Sequence, residues 1–168
     1  MKLKELLRSV PQVGRLEWIG VRPAKGEPME TLEEVALLEE RGLAGDRKAR
    51  RRGGKRQISL IQAEHLPLIA ELAGREGMAP ALLRRNFVVA GINLLSLRTA
   101  RFTIGDALLE GSGYCAPCAK METALGPGGF SAMRGHGGIL ARVLEAATVR
   151  RGDEVRFVDV TEVSSPTS

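Results

Sequence analysis

Apolar and polar positions change period several times along the chain, and each change marks the boundary of an element. Leu3, Leu6, Leu7 and Val10 recur at helical spacing among Lys2, Lys4, Glu5 and Arg8, which predicts a short amphipathic helix stopped by Pro11. Val13 to Val21 is rich in β-formers and runs into Arg22-Pro23 and a polar Gly/Pro stretch from Ala24 to Pro28, so a strand followed by a loop is expected. A second strand is predicted over Glu33 to Glu39, closing on Gly42, and a third over Gln57 to Ile61.

The period then switches: Leu66, Ile69, Leu72 and Ala73 fall three and four apart, predicting a helix within Ala63 to Arg75. Pro80 suits the first position of a short helix reaching Arg85, and Phe87 to Ala90 is a short apolar strand before Gly91. Two apolar arms, Phe102 to Ile104 and Ala107 to Glu110, flank Gly105-Asp106 and predict a hairpin. Pro117 to Leu125 is expected as a short helix ended by Gly126, and Glu154 to Val160 as a last strand. Periodicity alone leaves Ile139 to Val149 open between helix and strand.

The sum is roughly seven short strands with few helices, which favours a mainly β barrel or sandwich with short helices inserted between strands. Glycine, at 20 of 168 residues, points the same way. The length is that of one domain. Residues 13–160 are expected to form its body, behind an N-terminal helical extension over 1–12, and the polar stretch 161–168 is expected to be a disordered tail.

Composition removes several classes of function. No apolar run approaches the ~18 residues needed to cross a bilayer, and the first ten residues lack the apolar centre of a signal peptide. With only two cysteines, three residues apart, no disulfide framework is expected and a reducing cytoplasm is the expected compartment.

The net charge of +5 is local. Arg47 to Arg56 contains seven basic residues and no acid, leaving 18 basic against 20 acidic residues elsewhere. This predicts one anion-attracting loop on a near-neutral body. None of Trp18, Phe87, Phe102, Tyr114, Phe130 or Phe157 interleaves with it, which argues against a stacking platform for nucleic acid. The loop reads either as a solvated hairpin tip or as a set of forked donors for a phosphate or other oxyanion. Arg84-Arg85-Asn86 supplies a second cationic pair, with an amide able to meet a heterocycle edge.

Tyr114-Cys115-Ala116-Pro117-Cys118 is the most specific local feature. If Pro117 opens a helix, Cys118 lies in its first turn, where free N–H groups favour a thiolate, and Lys120 adds a cation close by in sequence. A thiolate there could bind a soft metal, carry sulfur or exchange disulfides, whereas the structural alternative is two small buried cysteines. No zinc is expected, because only His65 and His136 are available to complete a tetrahedral set. The spacing is locally similar to the dithiol of thioredoxin-like proteins, but only Pro127 and Pro166 follow it. Gly126-Pro127-Gly128-Gly129 and Arg134-Gly135-His136-Gly137-Gly138 match no phosphate-binding fingerprint and read as flexible loops.

In sequence order, Gly42 to Arg47, Arg56-Gln57-Ile58-Ser59-Leu60-Ile61, Leu83-Arg84-Arg85-Asn86, Ile104-Gly105-Asp106-Ala107, Cys115-Ala116-Pro117-Cys118 and Gly152-Asp153-Glu154-Val155 resemble the MOSC domain, the C-terminal domain of molybdenum cofactor sulfurases that also occurs as a stand-alone bacterial protein. The resemblance covers roughly Gly14 to Val160. It implies a β-barrel-like fold with Ile139 to Val149 as strand, and a site for molybdenum cofactor, whose pterin ends in a phosphate. It further implies that Cys118 is the reactive or molybdenum-ligating thiol. By the same mapping Arg84, Arg85 and Asn86 face the cofactor and Arg47 and Arg56 border it; Cys115 and Lys120 are expected among the cofactor-binding residues as well.

The sulfurases carry a desulfurase domain ahead of this one and the amidoxime-reducing relatives carry an extra β-rich domain. About 13 residues precede the resemblance here, so a persulfide or electrons would come from a separate cysteine desulfurase or redox partner. Two alternatives stand beside sulfur transfer or reduction of N-hydroxylated compounds. One is a non-catalytic module that binds an anionic partner or nucleic acid through residues 47–56. The other is a dithiol oxidoreductase using Cys115 and Cys118. The sequence assigns no oligomeric state.

Overall fold

The structure, a computed structural model, describes residues 1–161. Helix α1 (Leu3–Leu7) buries no residue and precedes β1 (Val13–Val21), β2 (Glu30–Leu32), β3 (Glu34–Leu38) and β4 (Gly42–Leu43). A 3-10 turn at Arg47–Arg50 leads to β5 (Ile58–Gln62) and α2 (His65–Leu72), and another at Pro80–Leu83 leads to β6 (Phe87–Ala90). After a 3-10 turn at Leu94–Leu97 come β7 (Ala100–Ile104), β8 (Ala107–Tyr114), α3 (Ala119–Leu125), α4 (Gly129–Met133), β9 (Ile139–Glu145), β10 (Ala147–Arg150) and β11 (Glu154–Val160).

Seven of these strands close a barrel in the order β11-β7-β8-β9-β5-β6-β1, with β1 returning to β11 through Val13–Arg156, Gly14–Val155 and Arg15–Glu154. All neighbours are antiparallel except β5 and β6, which run parallel because α2 and the 3-10 turn at Pro80–Leu83 form a crossover between them. β2 extends from the far half of β1. The register of β1 against β6 slips between Leu16 and Trp18, a bulge that lets one nine-residue strand serve three partners. A second sheet of β10, β3 and β4 packs beside the barrel.

Two apolar cores result. The barrel interior holds Leu16, Ile19, Ile58, Leu60, Phe87, Phe102, Leu109, Val143 and Val155, among others. Outside β5 and β6, the residues Ile61, Ile69, Leu83, Val88, Met121, Leu125 and Met133 pack beneath the helices. Both faces of β5 are therefore covered and all five of its residues, Ser59 and Gln62 included, are buried.

The expected mainly β, barrel-like fold is thus the observed one, and the strands over 13–21, 87–90 and 154–160 have the expected bounds. Several elements differ. Eleven strands occur among the described residues rather than about seven, since β2, β4 and β10 are too short to show a period. Ile139 to Val149 is strand, broken at Ala146 where the chain leaves the barrel for the second sheet.

The helix expected over Ala63 to Arg75 is the shorter α2, and that expected from Pro80 to Arg85 is a 3-10 turn ending at Leu83. Part of the glycine-rich loop at 126–129 opens α4. There the Glu122 carboxylate accepts the Gly128 and Phe130 N–H groups at 2.7 and 2.8 Å, supplying an N-terminal anchor that no local motif announces. The expected disordered tail lies outside the described residues, apart from Thr161.

Candidate functional site

Asp46 is the organising residue. It sits at the N-terminus of the 3-10 turn at Arg47–Arg50, is only 3% exposed, and its Oδ2 accepts the Lys48 N–H at 3.0 Å. Arg22, at the end of β1, donates to the same carboxylate three times: from its backbone N at 2.8 Å, Nε at 3.2 Å and Nη2 at 3.1 Å. Burial alone would push the Asp46 carboxyl up. The hydrogen bonds and charge of Arg22, with the backbone N–H of Lys48, more than offset it and hold the group below the usual carboxylate range.

Asn86 completes this interior network. It is fully buried, donates from Nδ2 to the Gly20 carbonyl at 3.0 Å and to Asp46 Oδ1 at 3.2 Å, and accepts the Ser59 N–H and hydroxyl at 3.1 Å each. Its amide is therefore spent inside the protein. Asn86 ties β5 to the start of β6 and to Asp46, and so acts by positioning the cations around it.

Those cations converge on a small cavity of about 90 Å³ bordered by Arg22, Lys48, Arg56, Arg84, Arg85 and Cys115, with Ser59 at its wall. Asp46 is the acid among them, and Arg22 already engages it. Burial and the charges of Arg47, Arg22 and Arg56 push the Lys48 ammonium down from its ordinary value. Burial, with Arg22 and Arg47, does the same to Arg84. Mutual repulsion of this kind is relieved by a bound anion.

Arg84 also has left-handed backbone geometry, at φ 54°, uncommon for a residue with a β-carbon. Its Nη1 donates to the Glu27 carbonyl at 2.9 Å, which ties it to the loop after β1.

Arg85 is the most deeply buried of the cations, at 7% exposure. Nε donates to the Gly137 carbonyl at 3.0 Å and Nη1 to the Leu83 carbonyl at 2.9 Å, whereas Nη2 is buried without a partner. A buried donor left unsatisfied costs about 1–3 kcal/mol. Arg47 Nε is likewise buried and unpaired.

The cysteine segment borders the same cavity from the other side. Cys115 is half-buried, and its N–H donates to the Gly138 carbonyl at 2.9 Å. Gly137 and Gly138 are required here: a β-carbon on the first would strike the Cys115 carbonyl, and one on the second the Leu60 carbonyl. Cys115 also lines a neighbouring groove of about 360 Å³ with Tyr114, Phe130 and Arg134.

Cys118 lies farther out. It is exposed, lines neither of these cavities, and occupies the N-cap of α3 rather than its first turn, because the helix begins at Ala119, two residues later than the position of Pro117 implies. Its side chain makes no capping hydrogen bond. Lys120 is exposed on the first turn of α3.

The structure thus brings together Arg56, Arg84, Arg85 and Cys115 of the residues expected from sequence, with Arg47 alongside, and leaves Cys118 and Lys120 at the outer edge. Sequence reasoning passed over Arg22 and Ser59 and gave Asp46 no role. Asp46-x-Lys48 carried a recognisable capping signal, whereas nothing local marks Arg22, whose partner lies 24 residues away. Among the described residues no three His, Cys, Asp or Glu side chains converge on a common point. A metal held here would have to arrive with most of its ligands already supplied.

The family model for the MOSC domain matches residues 45–156, the span containing Asp46, the arginine pair and both cysteines. Among solved structures, the YuaD protein of Bacillus subtilis superposes with a TM-score of 0.73 at 22% identity, covering 87% of this chain and 96% of that one. YiiM of Escherichia coli gives 0.67 at 23% identity over 90% of this chain and 72% of that one. YiiM of Geobacillus stearothermophilus gives 0.67 at 20% identity over 87% and 75%. At these identities the likeness is one of fold. No curated protein matches the sequence.

Proposed function

Because the chain belongs to the MOSC domain family, we propose that it binds molybdenum cofactor, with the pterin phosphate held by Arg56, Arg84 and Arg85 and the metal beside Cys118. The observation that carries this reading is the buried, unpaired Nη2 of Arg85 at a cavity bordered by four further cations. A phosphate oxygen is the acceptor that such a donor lacks, and with Nε and Nη1 held by the Gly137 and Leu83 carbonyls, Nη2 is the donor left to meet it.

The residues present fit the group in two other respects. Tyr114 and Phe130 line the groove that shares Cys115, and both are exposed enough to cover a flat heterocycle. An accessible thiol suits a metal that already carries most of its ligands, because one soft donor then completes the set. When bound, the cofactor supplies metal-centred redox and sulfur chemistry.

The chain's own residues do the rest in this reading. Arg84 and Arg85 neutralise the phosphate. Asp46 and Asn86 hold Arg22 and the wall of the cavity in place, and the carbonyls of Gly137 and Gly138 fix Arg85 and Cys115. Cys118, being exposed, can meet another protein. This suits transfer of a sulfane sulfur from a separate cysteine desulfurase, or passage of electrons from a separate redox partner to an N-hydroxylated substrate. A reducing cytoplasm suits both thiols, and no helix among the described residues is long and apolar enough to cross a membrane.

The test is anaerobic loading with molybdenum cofactor, followed by molybdenum and pterin analysis after gel filtration. Wild type is expected to retain both. Cys118→Ser is expected to lose molybdenum preferentially, and Arg85→Lys, which keeps the charge but not the fork, to lose pterin roughly tenfold, the loss of one good charged hydrogen bond. Equal retention by all three would remove both residues from the site, and no retention by wild type would leave the family resemblance a matter of fold.

A further inference from the structure

The seven basic residues between Arg47 and Arg56 are only partly used by the site just described. Lys48 and Arg56 border both the small cavity and a wider groove of about 530 Å³, whose walls include Lys25, Arg47, Arg50, Arg51 and Lys55. No acidic residue lines that groove.

Across the described residues, ion pairs engage Arg8, Arg15, Arg22, Arg101, Arg142, Arg150, Arg151 and Arg156, and not one side chain from 47–56. Seven cations without an ion-pair partner thus fall within ten consecutive residues, a density found in no other segment of the described chain.

The segment is also held in shape. Arg50 Nη2 donates to the Pro23 carbonyl at 3.1 Å, Arg41 Nη1 donates to the Ala49 and Arg50 carbonyls at 3.3 Å each, and Gln57 Nε2 donates to the Gly54 carbonyl at 2.9 Å. The Ser112 hydroxyl donates to the Lys55 carbonyl. A charged surface whose backbone is already ordered loses less conformational entropy on binding.

From this geometry we infer that the 47–56 surface is a docking site for an acidic segment of the protein that supplies sulfur or electrons, a conclusion that rests on the proposed cofactor chemistry. The cations are spread along an open groove instead of converging on a point, which matches several carboxylates on one extended segment better than one small anion. No aromatic ring lines the groove, so bases would find nothing to stack on. Because Lys48 and Arg56 line both cavities, a segment lying in the groove places its owner next to the small cavity that Cys115 borders. Opposed charge also speeds and orients such an encounter.

The experiment compares a fluorescein-labelled twelve-residue Asp/Glu peptide with a single-stranded thymidine oligonucleotide of equal charge, each titrated into full-length cofactor-free protein at 50 and 200 mM salt. The variant Arg51→Gln/Arg52→Gln/Lys55→Gln removes charge from the loop and leaves the cavity residues in place. Lys2→Gln/Lys4→Gln/Arg75→Gln removes the same charge elsewhere.

The peptide is expected to bind at low salt and to weaken about tenfold or more at the higher salt. The loop variant is expected to lose at least roughly tenfold in affinity and the control to change less than about threefold. Absence of peptide binding at low salt, equal loss in both variants, or tighter binding of the oligonucleotide would each overturn the proposal. Cofactor retention is measured on the same proteins: wild type that binds peptide but not cofactor isolates a failure of the chemical reading, and the reverse isolates a failure of docking.

Discussion

At the scale of single residues, the site is governed by a carboxylate that never reaches its surface. Asp46 is buried against Arg22, with side-chain exposures of 0% and 14%, and removing one member of such a pair leaves the other desolvated and unmatched. Asp46→Asn is therefore expected to destabilise the protein by about 3 kcal/mol, the lower end for a buried pair because Arg22 keeps some access to water. Urea unfolding at pH 7 measures this directly. The acid limb of the stability curve should change as well. Since folding lowers the Asp46 pKa, its contribution is complete above the ordinary carboxylate value of about 3.9 and is lost as pH falls toward the lowered folded value. The variant should show a shallower decline across that window; an unchanged limb would mean that other carboxylates dominate it. Residue-scale legibility was uneven for a physical reason. Arg84 and Arg85 are consecutive and Cys115 stands three residues before Cys118, so they announce themselves as a charge pair and a thiol pair. Arg22 and Ser59 join the site only through folding, and Asn86, which looked like a ligand-facing amide, is consumed by hydrogen bonds to Gly20, Asp46 and Ser59.

At the scale of elements, the stretch between α4 and β9 couples two parts of the molecule. Gly137 and Gly138 hold Arg85 and Cys115 through their carbonyls, while His136 meets His65 at the start of α2 with ring centroids 5.3 Å apart. Burial and the charge of His136 lower the His65 pKa, with Glu64 opposing them. An imidazole depressed in the folded state binds its proton more readily when unfolded. Its effect on stability is therefore absent above the ordinary value of about 6.5 and becomes a penalty as pH falls from there to the lowered value. His65→Gln should remove that part of the pH dependence, read as a smaller drop in melting temperature between pH 7 and pH 5 than wild type shows. A drop as large as that of wild type would sink this role for the pair. Neither histidine looked important in sequence, because 71 residues separate them and each stands in an unremarkable polar context. The turn of the β7–β8 hairpin was legible by contrast, since Gly105-Asp106 supplies it locally, although both strands run beyond the expected arms, β8 as far as Tyr114. α4 was hidden because Glu122, six and eight residues away, provides the N-terminal acceptors that glycine-rich sequence does not.

At the scale of the whole molecule, the strands could be read from sequence but their closure could not. Periodicity finds β1 and β11 at their observed bounds, yet nothing local says that Val13 to Arg15 will pair with Glu154 to Arg156 at opposite ends of the described chain. That pairing converts an open sheet with two exposed edges into a barrel, and it encloses Leu16, Phe102 and Val155 in one interior. It also means that the barrel closes only when nearly all of the chain is present, and such long-range pairing makes folding slow relative to proteins of local contacts. A chain ending at Asp153 should therefore lack a cooperative thermal transition and expose apolar surface to a hydrophobic dye, although every residue lining the small cationic cavity is retained. Val155→Ala tests the same closure without truncation: deleting buried methyl groups from a fully enclosed position should cost about 1–3 kcal/mol while leaving the transition cooperative. Cooperative unfolding of the truncated chain would show that the β5–β6 crossover and its helices fold without the closing strand. The barrel would then be a frame added to that unit, and not the condition for it.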